Sequence, residues 1–452
     1  MTSHVLHRRL SGPPIPRAVS ASGLIITDSD GREVIDASGG AAVSCLGHGH
    51  PRVVDAICRQ AGKLAYAHNS FFTSEPAEEL ADLLVGHAPG NLATACFVAG
   101  GSEAMETALK LVRQYHLETG QPDRVHFIAR RQSYHGNSLG ALALSGNVAR
   151  RAAYAPMLPR NFSHVSPADP VHGRLAGEDD AAMVARLAAE LEAEFERVGP
   201  GRVAAFCAET VVGATAGALA APAGYFAAIR RVCDRHGALL VLDEVMCGMG
   251  RTGTTHAWEQ EAVTPDVQIV AKGLGGGYQP IGAVLAGARV AQAIANGSGS
   301  LMHGFTYMGH PLACAAALAV QRVIAEDRLL DNVGAMGSLL MRTLSDRFGG
   351  HPRVADIRGR GLLVAVELGI DGPGGVPFAP AAKVADRIKA RAMELGLACY
   401  PGAGTIDGVN GDHVLLAPPY IAQADDIARI VERLGEAVDS VCREVVQLPA
   451  PC

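Results

Sequence analysis

The chain has 452 residues, with 39 Lys and Arg against 45 Asp and Glu and a formal net charge of −6. That length allows two or three domains and a large core, and the acidic balance gives no electrostatic case for nucleic acid. No uncharged apolar run reaches the ~18 residues of a membrane span, and the ten scattered cysteines, without paired metal spacing, read as reduced core residues of a cytosolic protein.

The opening stretch, Met1 to Pro16, carries His7-Arg8-Arg9 but no following apolar core, which argues against a secretory signal. Gly23–Asp28 and Glu33–Asp36 predict a hairpin turning at Ser29-Asp30-Gly31. His48-Gly49-His50 has no third ligand nearby, so it reads as a loop before a helix at Pro51 and not as a metal site. From about Glu75 to about Gln321 strands and helices alternate as in a large, mainly parallel sheet.

Within that stretch Ala95–Ala99 is followed by Gly100-Gly101-Ser102-Glu103 and a helix over Ala104–Arg113. Strand, glycine turn and helix N-terminus present free N–H groups and a positive dipole end to an anion such as phosphate; Ser102 could equally just cap the helix. The strand Arg124–Ala129 leads into Tyr134-His135-Gly136, an aromatic plate at the same edge or simple loop packing. Pro167 to Asp180, rich in Pro, Gly and Asp, reads as a surface loop. Val203–Ala208 ends at Glu209, Gly224–Cys233 supplies a crossover helix, and Gly237–Leu242 ends at Asp243-Glu244. Val267–Ala271 ends at Lys272, before Gly273, Leu274 and Gly275–Gly277.

Glu209 and Asp243 lie 34 residues apart and Lys272 follows 29 later, the spacing of consecutive strand–helix–strand units. Parallel strands bring their carboxyl ends to one edge, where ligands of open α/β sheets bind. Lys272 is one of only five lysines. At the end of a buried strand an amine costs desolvation energy unless it is neutral, paired or covalently used, or snorkels to water. Beside a flexible glycine turn it suits an amine that condenses with an aldehyde. No Walker or Rossmann glycine motif accompanies the phosphate cradle, so a nucleotide is the weaker use of this geometry. Amine, carboxylate, phosphate cradle and aromatic plate together describe a pocket for pyridoxal 5'-phosphate.

Further along, Pro311–Leu330 predicts a helix leading out of the large unit. Gly361–Leu368, an amphipathic helix over Ala382–Leu395, a strand at His413–Ala417 and a last helix form a smaller α+β part that pairs with the N-terminal residues. The expected division is 1–74 for an N-terminal segment of the small domain, 75–321 for the large cofactor domain and 322–452 for the rest of the small domain.

The run Leu242-Asp243-Glu244-Val245-Met246-Cys247-Gly248-Met249-Gly250-Arg251-Thr252-Gly253, with Ala271-Lys272-Gly273-Leu274, resembles the signature of the class III (omega-) aminotransferases, pyridoxal-phosphate enzymes of fold type I. Gly101-Ser102-Glu103-Ala104, Tyr134-His135-Gly136 and His303–Pro311 match further family stretches. The resemblance implies an α/β fold with a large, mainly parallel sheet. It makes Lys272 the amine that takes the cofactor's aldehyde and shuttles a proton, and Asp243 the partner of the pyridine nitrogen. Val245 and Tyr134 would press the two ring faces, and the Gly101 and Ser102 amides would take the phosphate; His135, Gly136 and Glu209 complete the expected cofactor site. Phe305 and Thr306 resemble the pair that reaches the phosphate from a neighbouring subunit, which implies an obligate homodimer with two shared sites.

Departures from the family pattern bear on substrate choice. Met246 stands where ornithine- and 4-aminobutyrate-type members carry glutamine, and no arginine occurs between Arg391 and Arg429, ahead of Pro418-Pro419. Gly40-Ala41-Ala42-Val43 replaces bulky aromatics, and Glu209 is left to meet a donor's distal ammonium. The expected reaction moves an amino group from a primary amine or omega-amino donor to pyruvate or 2-oxoglutarate by a ping-pong mechanism. A 1,2-aminomutase or decarboxylase on the same fold, a cofactor-binding regulator and a plain nucleotide-binding α/β protein are the alternatives.

Overall fold

The computed structural model describes residues 4–7, 14–86 and 88–447. Part of Met1–Pro16 and the outer ends of the expected segments 1–74 and 322–452 lie outside the described residues.

Strands β1 (Ala18–Ser22), β2 (Ile25–Asp28) and β3 (Glu33–Asp36) form an antiparallel meander. Its β2–β3 turn is tied by Asp28 Oδ1, which accepts the N–H groups of Asp30 and Arg32 at 2.9 and 3.0 Å. The next residues carry the chain into the sheet edge that matters. Gly39, Gly40, Ala41 and Ala42 have φ of 55, 59, 74 and 64°, a left-handed turn of four residues. For the two alanines such a conformation costs ~1–2 kcal/mol each, so tertiary contacts must hold it.

Seven strands form the central sheet: β4 (Leu92–Val98), β5 (His126–Arg130), β6 (Phe162–Val165), β7 (Val203–Glu209), β8 (Leu239–Asp243), β9 (Val267–Val270) and β10 (Gly282–Gly287), in the order β4-β10-β9-β8-β7-β5-β6. Strands β5 to β9 pair in parallel, whereas β10 runs antiparallel to both β9 and β4. The sequence does not announce β10, because its residues are mostly Gly and Ala and carry little strand preference. Every residue of β7, β8, β9 and β10 is buried, as a sheet covered on both faces requires. Alternation sorts the two cores: Leu240 and Leu242 pack with Phe206, Phe226 and Ile229, whereas Leu239 and Val241 pack with Ala205, Cys207, Met105 and Val112. In register, Asp243 sits opposite Glu209 on one side and Ile269 on the other. The carboxyl ends of β7, β8 and β9 therefore meet at one level.

Sequence periodicity predicts one helix over Pro311–Leu330; the structure instead has a helix at Pro311–Glu326 and another at Leu329–Phe348. Arg328, at φ 52°, turns the chain between them. The second helix buries Val333, Gly337, Leu340, Leu344 and Phe348 along one stripe. It leads to an antiparallel sheet of β11 (Val354–Arg360), β12 (Leu363–Leu368), β14 (Tyr400–Ala403) and β15 (Asp412–Leu416), in the order β11-β12-β15-β14. The two-residue strand β13 (Leu397–Ala398) pairs in parallel with β3, which joins the N-terminal meander to this C-terminal part.

Candidate active site

The strand ends, the glycine turn and the left-handed turn enclose a cavity of about 510 Å³. Lys272, Asp243 and Glu209 all line it, each delivered by the strand that precedes it. Lys272 leaves β9 at φ 43°, which turns its side chain out of the sheet. Desolvation pushes its amine below the ordinary lysine range, while the charges of Asp243 and Glu209 pull the other way. Burial wins, and an amine so placed carries a free electron pair more often than a surface lysine does.

Asp243 is held from two sides. Its Oδ1 accepts the Val245 N–H at 3.0 Å and its Oδ2 lies 2.8 Å from His135 Nδ1. The carboxylate is thereby fixed in orientation, and His135 enters as its positioning partner. The other ring nitrogen of His135, Nε2, is buried without a hydrogen-bond partner among the described residues. Glu209 behaves differently from the counter-ion expected for a donor's distal ammonium. Its Oε1 accepts the Tyr134 N–H and its Oε2 the Gly213 N–H, both at 2.9 Å, and burial pushes its carboxyl up. It is committed to holding the backbone that carries Tyr134. Gly213 packs directly against Met246, whose Sδ a Cβ there would displace, and Met246 forms an apolar part of the wall.

The anion cradle is the start of the helix Gly101–Glu118. Its first-turn N–H groups have no acceptor within the helix and face the cavity through Gly101 and Ser102. Ser102 Oγ is taken by the Asn137 N–H at 3.1 Å, so the hydroxyl ties two loops together and does not cap the helix. Gly136, at φ 134°, lies so close that a Cβ would sit 2.8 Å from Ser102 Oγ. A helix N-terminus flanked by glycines, sharing one cavity with an amine and an oriented carboxylate, fits pyridoxal 5'-phosphate in the chemistry of its donors.

Of the residues singled out by sequence, Gly101, Ser102, Tyr134, His135, Gly136, Glu209, Asp243, Val245 and Lys272 line the one cavity. Phe305 and Thr306 do not. Phe305 packs edge-on against His303, and the Thr306 carbonyl accepts the Tyr66 hydroxyl at 2.9 Å. Sequence reasoning missed Arg150, Tyr400, Asn137 and Gln279, which also line it. Their segments carry no periodic or strand-end signal; only tertiary contacts bring them in.

Comparison with known proteins agrees with this geometry. A family model described as aminotransferase class-III matches residues 11–438. An uncharacterised aminotransferase of Schizosaccharomyces pombe is 48% identical over 94% of this chain and 93% of its own length. A chloroplastic gamma aminobutyrate transaminase of Solanum lycopersicum is 34% identical over 95% of this chain and 81% of its own. Among solved structures, the omega transaminase from Pseudomonas jessenii in complex with PMP superposes with a TM-score of 0.88 at 33% identity, covering 96% of this chain and 94% of that one.

Proposed function

The chain belongs to the class III aminotransferases, and from that membership we propose that it binds pyridoxal 5'-phosphate in the cavity described and moves an amino group from a primary amine or omega-amino donor to an α-keto acid. The observation that carries this reading is the convergence of Lys272, Asp243, the Gly101–Ser102 turn and Tyr134 on one cavity. Bound there, the cofactor supplies an aldehyde that takes up the amino group and a ring that accepts the electron pair left when the donor loses a proton.

The chain's own residues do the rest. Lys272 Nζ would hold the cofactor through its aldehyde and, once the donor's amine displaces it there, would be the base that takes the proton from the amine-bearing carbon and returns it one atom away. Its pKa, lowered by burial, suits that work as a base better than an ordinary lysine's would. Asp243, held by Val245 and His135, keeps a proton on the ring nitrogen. Gly101 and Ser102 amides hold the phosphate, and Tyr134 and Val245 confine the ring. Donor and acceptor use the same space in turn, a ping-pong order.

The donor class rests on the wall. Ala41, Val43, Ala214 and Met246 are small or apolar, and the cavity has no arginine from the segment before Pro418. Curated relatives include a diaminobutyrate–2-oxoglutarate transaminase and an acetylornithine aminotransferase, at 33% and 37% identity. The active form in this reading is a cytoplasmic homodimer in which Phe305 and Thr306 serve the neighbouring site. In support, no helix among the described residues is long and apolar enough to cross a membrane, and the nine described cysteines are free.

Borohydride reduction of the yellow holoprotein followed by peptide mapping tests the assignment. The label is expected on Lys272, and Lys272→Ala is expected to retain cofactor without turnover. Label on another of the five lysines would overturn it.

A further inference from the structure

The cavity wall holds one cation for which the reading above has no use. Arg150 lies on the five-residue helix Val148–Ala152, whose start is fixed by Asn147 Oδ1 accepting the Arg150 N–H at 3.0 Å. Its guanidinium lies over the Tyr134 ring, 4.4 Å from the centroid. The guanidinium also hydrogen-bonds the Tyr134 side chain, and its remaining N–H donors form the planar fork whose edge matches a carboxylate.

No carboxylate of the protein uses that edge: among the described residues Arg150 forms no ion pair. Many of the chain's other arginines are paired, including Arg186, Arg230 and Arg358. The cavity's own acids are committed elsewhere, Asp243 to His135 and Val245, Glu209 to the Tyr134 and Gly213 amides. The other basic side chain on the wall, Lys272, is the reacting amine. The helix lies against a distant loop: a Cβ on Gly408 would sit 3.2 Å from Val148 Cβ, and Gln132 Nε2 ties that loop by donating to the Gly404 and Thr405 carbonyls. A half-buried cation close enough to act on the reacting amine, and without an anion, is short of one partner.

We infer that Arg150 supplies the carboxylate anchor of this enzyme, taking the carboxylate of the α-keto-acid acceptor. This rests on the aminotransferase reading above and names the residue that reads its second substrate. A donor without a carboxylate leaves Arg150 stacked on Tyr134; an acceptor such as pyruvate engages it. One cavity thus serves both partners, an apolar donor tail against Ala41 and Met246 and an acid against Arg150.

The test uses the holoenzyme of wild type, Arg150→Gln and Arg150→Lys. Single-turnover kinetics follow the amine half-reaction with benzylamine and the return half-reaction with pyruvate, while calorimetry follows binding of the unreactive acid propionate. In Arg150→Gln the benzylamine half-reaction is expected to proceed near the wild-type rate. The KM for pyruvate is expected to rise by about 10- to 100-fold with kcat little changed, the scale of losing one charge-assisted pair made equally in ground and transition states. Propionate binding should vanish with it, and Arg150→Lys should recover part of both. An unchanged KM for pyruvate overturns the inference. So does weakened cofactor retention with unchanged pyruvate kinetics, which would assign Arg150 to the phosphate. A wild type that fails even with benzylamine would sink the donor reading instead, and propionate calorimetry would still judge Arg150.

Discussion

At the scale of single residues, two adjacent acids on one strand end have opposite tasks. Asp243 opens onto the cavity, whereas Glu244 turns into the protein and accepts from Thr210, the Ala257 and Trp258 amides and Gln268. Replacing Asp243 by Asn removes the charge that keeps the ring nitrogen protonated. Turnover is expected to fall by at least ~10²-fold, the scale of losing one well-placed electrostatic stabiliser, with an unchanged circular dichroism spectrum. Near-normal turnover would mean that another residue partners the nitrogen. For Glu244, burial pushes the carboxyl up to about 7 despite its hydrogen bonds. A carboxyl raised above its unfolded value of 4.5 contributes stability that is full below pH 4.5 and lost as pH rises through 7. Glu244→Gln does not titrate, so its deficit against wild type is expected to shrink by up to about 3 kcal/mol between pH 4.5 and 8, at ~1.36 kcal/mol per pH unit separating the two values. Denaturant melts of both proteins across that range check it; parallel stability curves would refute the assignment. The three strand-end groups are legible in the sequence because a charge after a buried apolar run must be accounted for. Arg150 is not, because an Arg-Arg pair on a short polar helix looks like any solvated surface. What places it is the distant loop around Gly408.

At the scale of elements, helix Leu329–Phe348 shows how packing overrides propensity. It contains two glycines three residues apart. Gly334 is open, with no atom within 4 Å of an added Cβ, whereas a Cβ on Gly337 would run into the Gly361 carbonyl. Alanine improves helix propensity by about 1 kcal/mol at either position. Gly334→Ala is therefore expected to stabilise by roughly 0.5–1 kcal/mol. Gly337→Ala is expected to destabilise by a net ~1–2 kcal/mol, because overpacking against backbone costs ~1–3 kcal/mol and outweighs the propensity gain. Chemical denaturation of both variants decides it, and a shift of the same sign in both would show that the close approach to Gly361 is not tight. These glycines, and the break at Arg328, explain why sequence periodicity stops short of this helix. Strand β10 is hidden for a related reason, since Gly and Ala fit its crowded position without advertising a strand. The β7, β8 and β9 runs are legible because burial on both faces leaves no polar position to blur them.

At the scale of the whole molecule, the proposed dimer rests on the resemblance of Phe305 and Thr306 to a pair that serves a neighbouring site. Phe305 and Thr306 lie away from their own cavity, near exposed Tyr307 and Met302. Sedimentation of the holoprotein is expected to give twice the 46.8 kDa chain mass, and dilution that splits the dimer should release cofactor. A monomer that keeps its cofactor fully would rule out shared sites.

The antiparallel insertion of β10 also sets the order in which the molecule can be assembled. Strand β4, which leads into the phosphate cradle, has among the described residues β10 as its only partner in the sheet, and some 190 residues separate the two. During synthesis at ~5–20 residues per second, β4 waits ~10–40 s for that partner to leave the ribosome. Through that interval an apolar edge stands open to other chains. The anion cradle therefore closes long after its own residues are made.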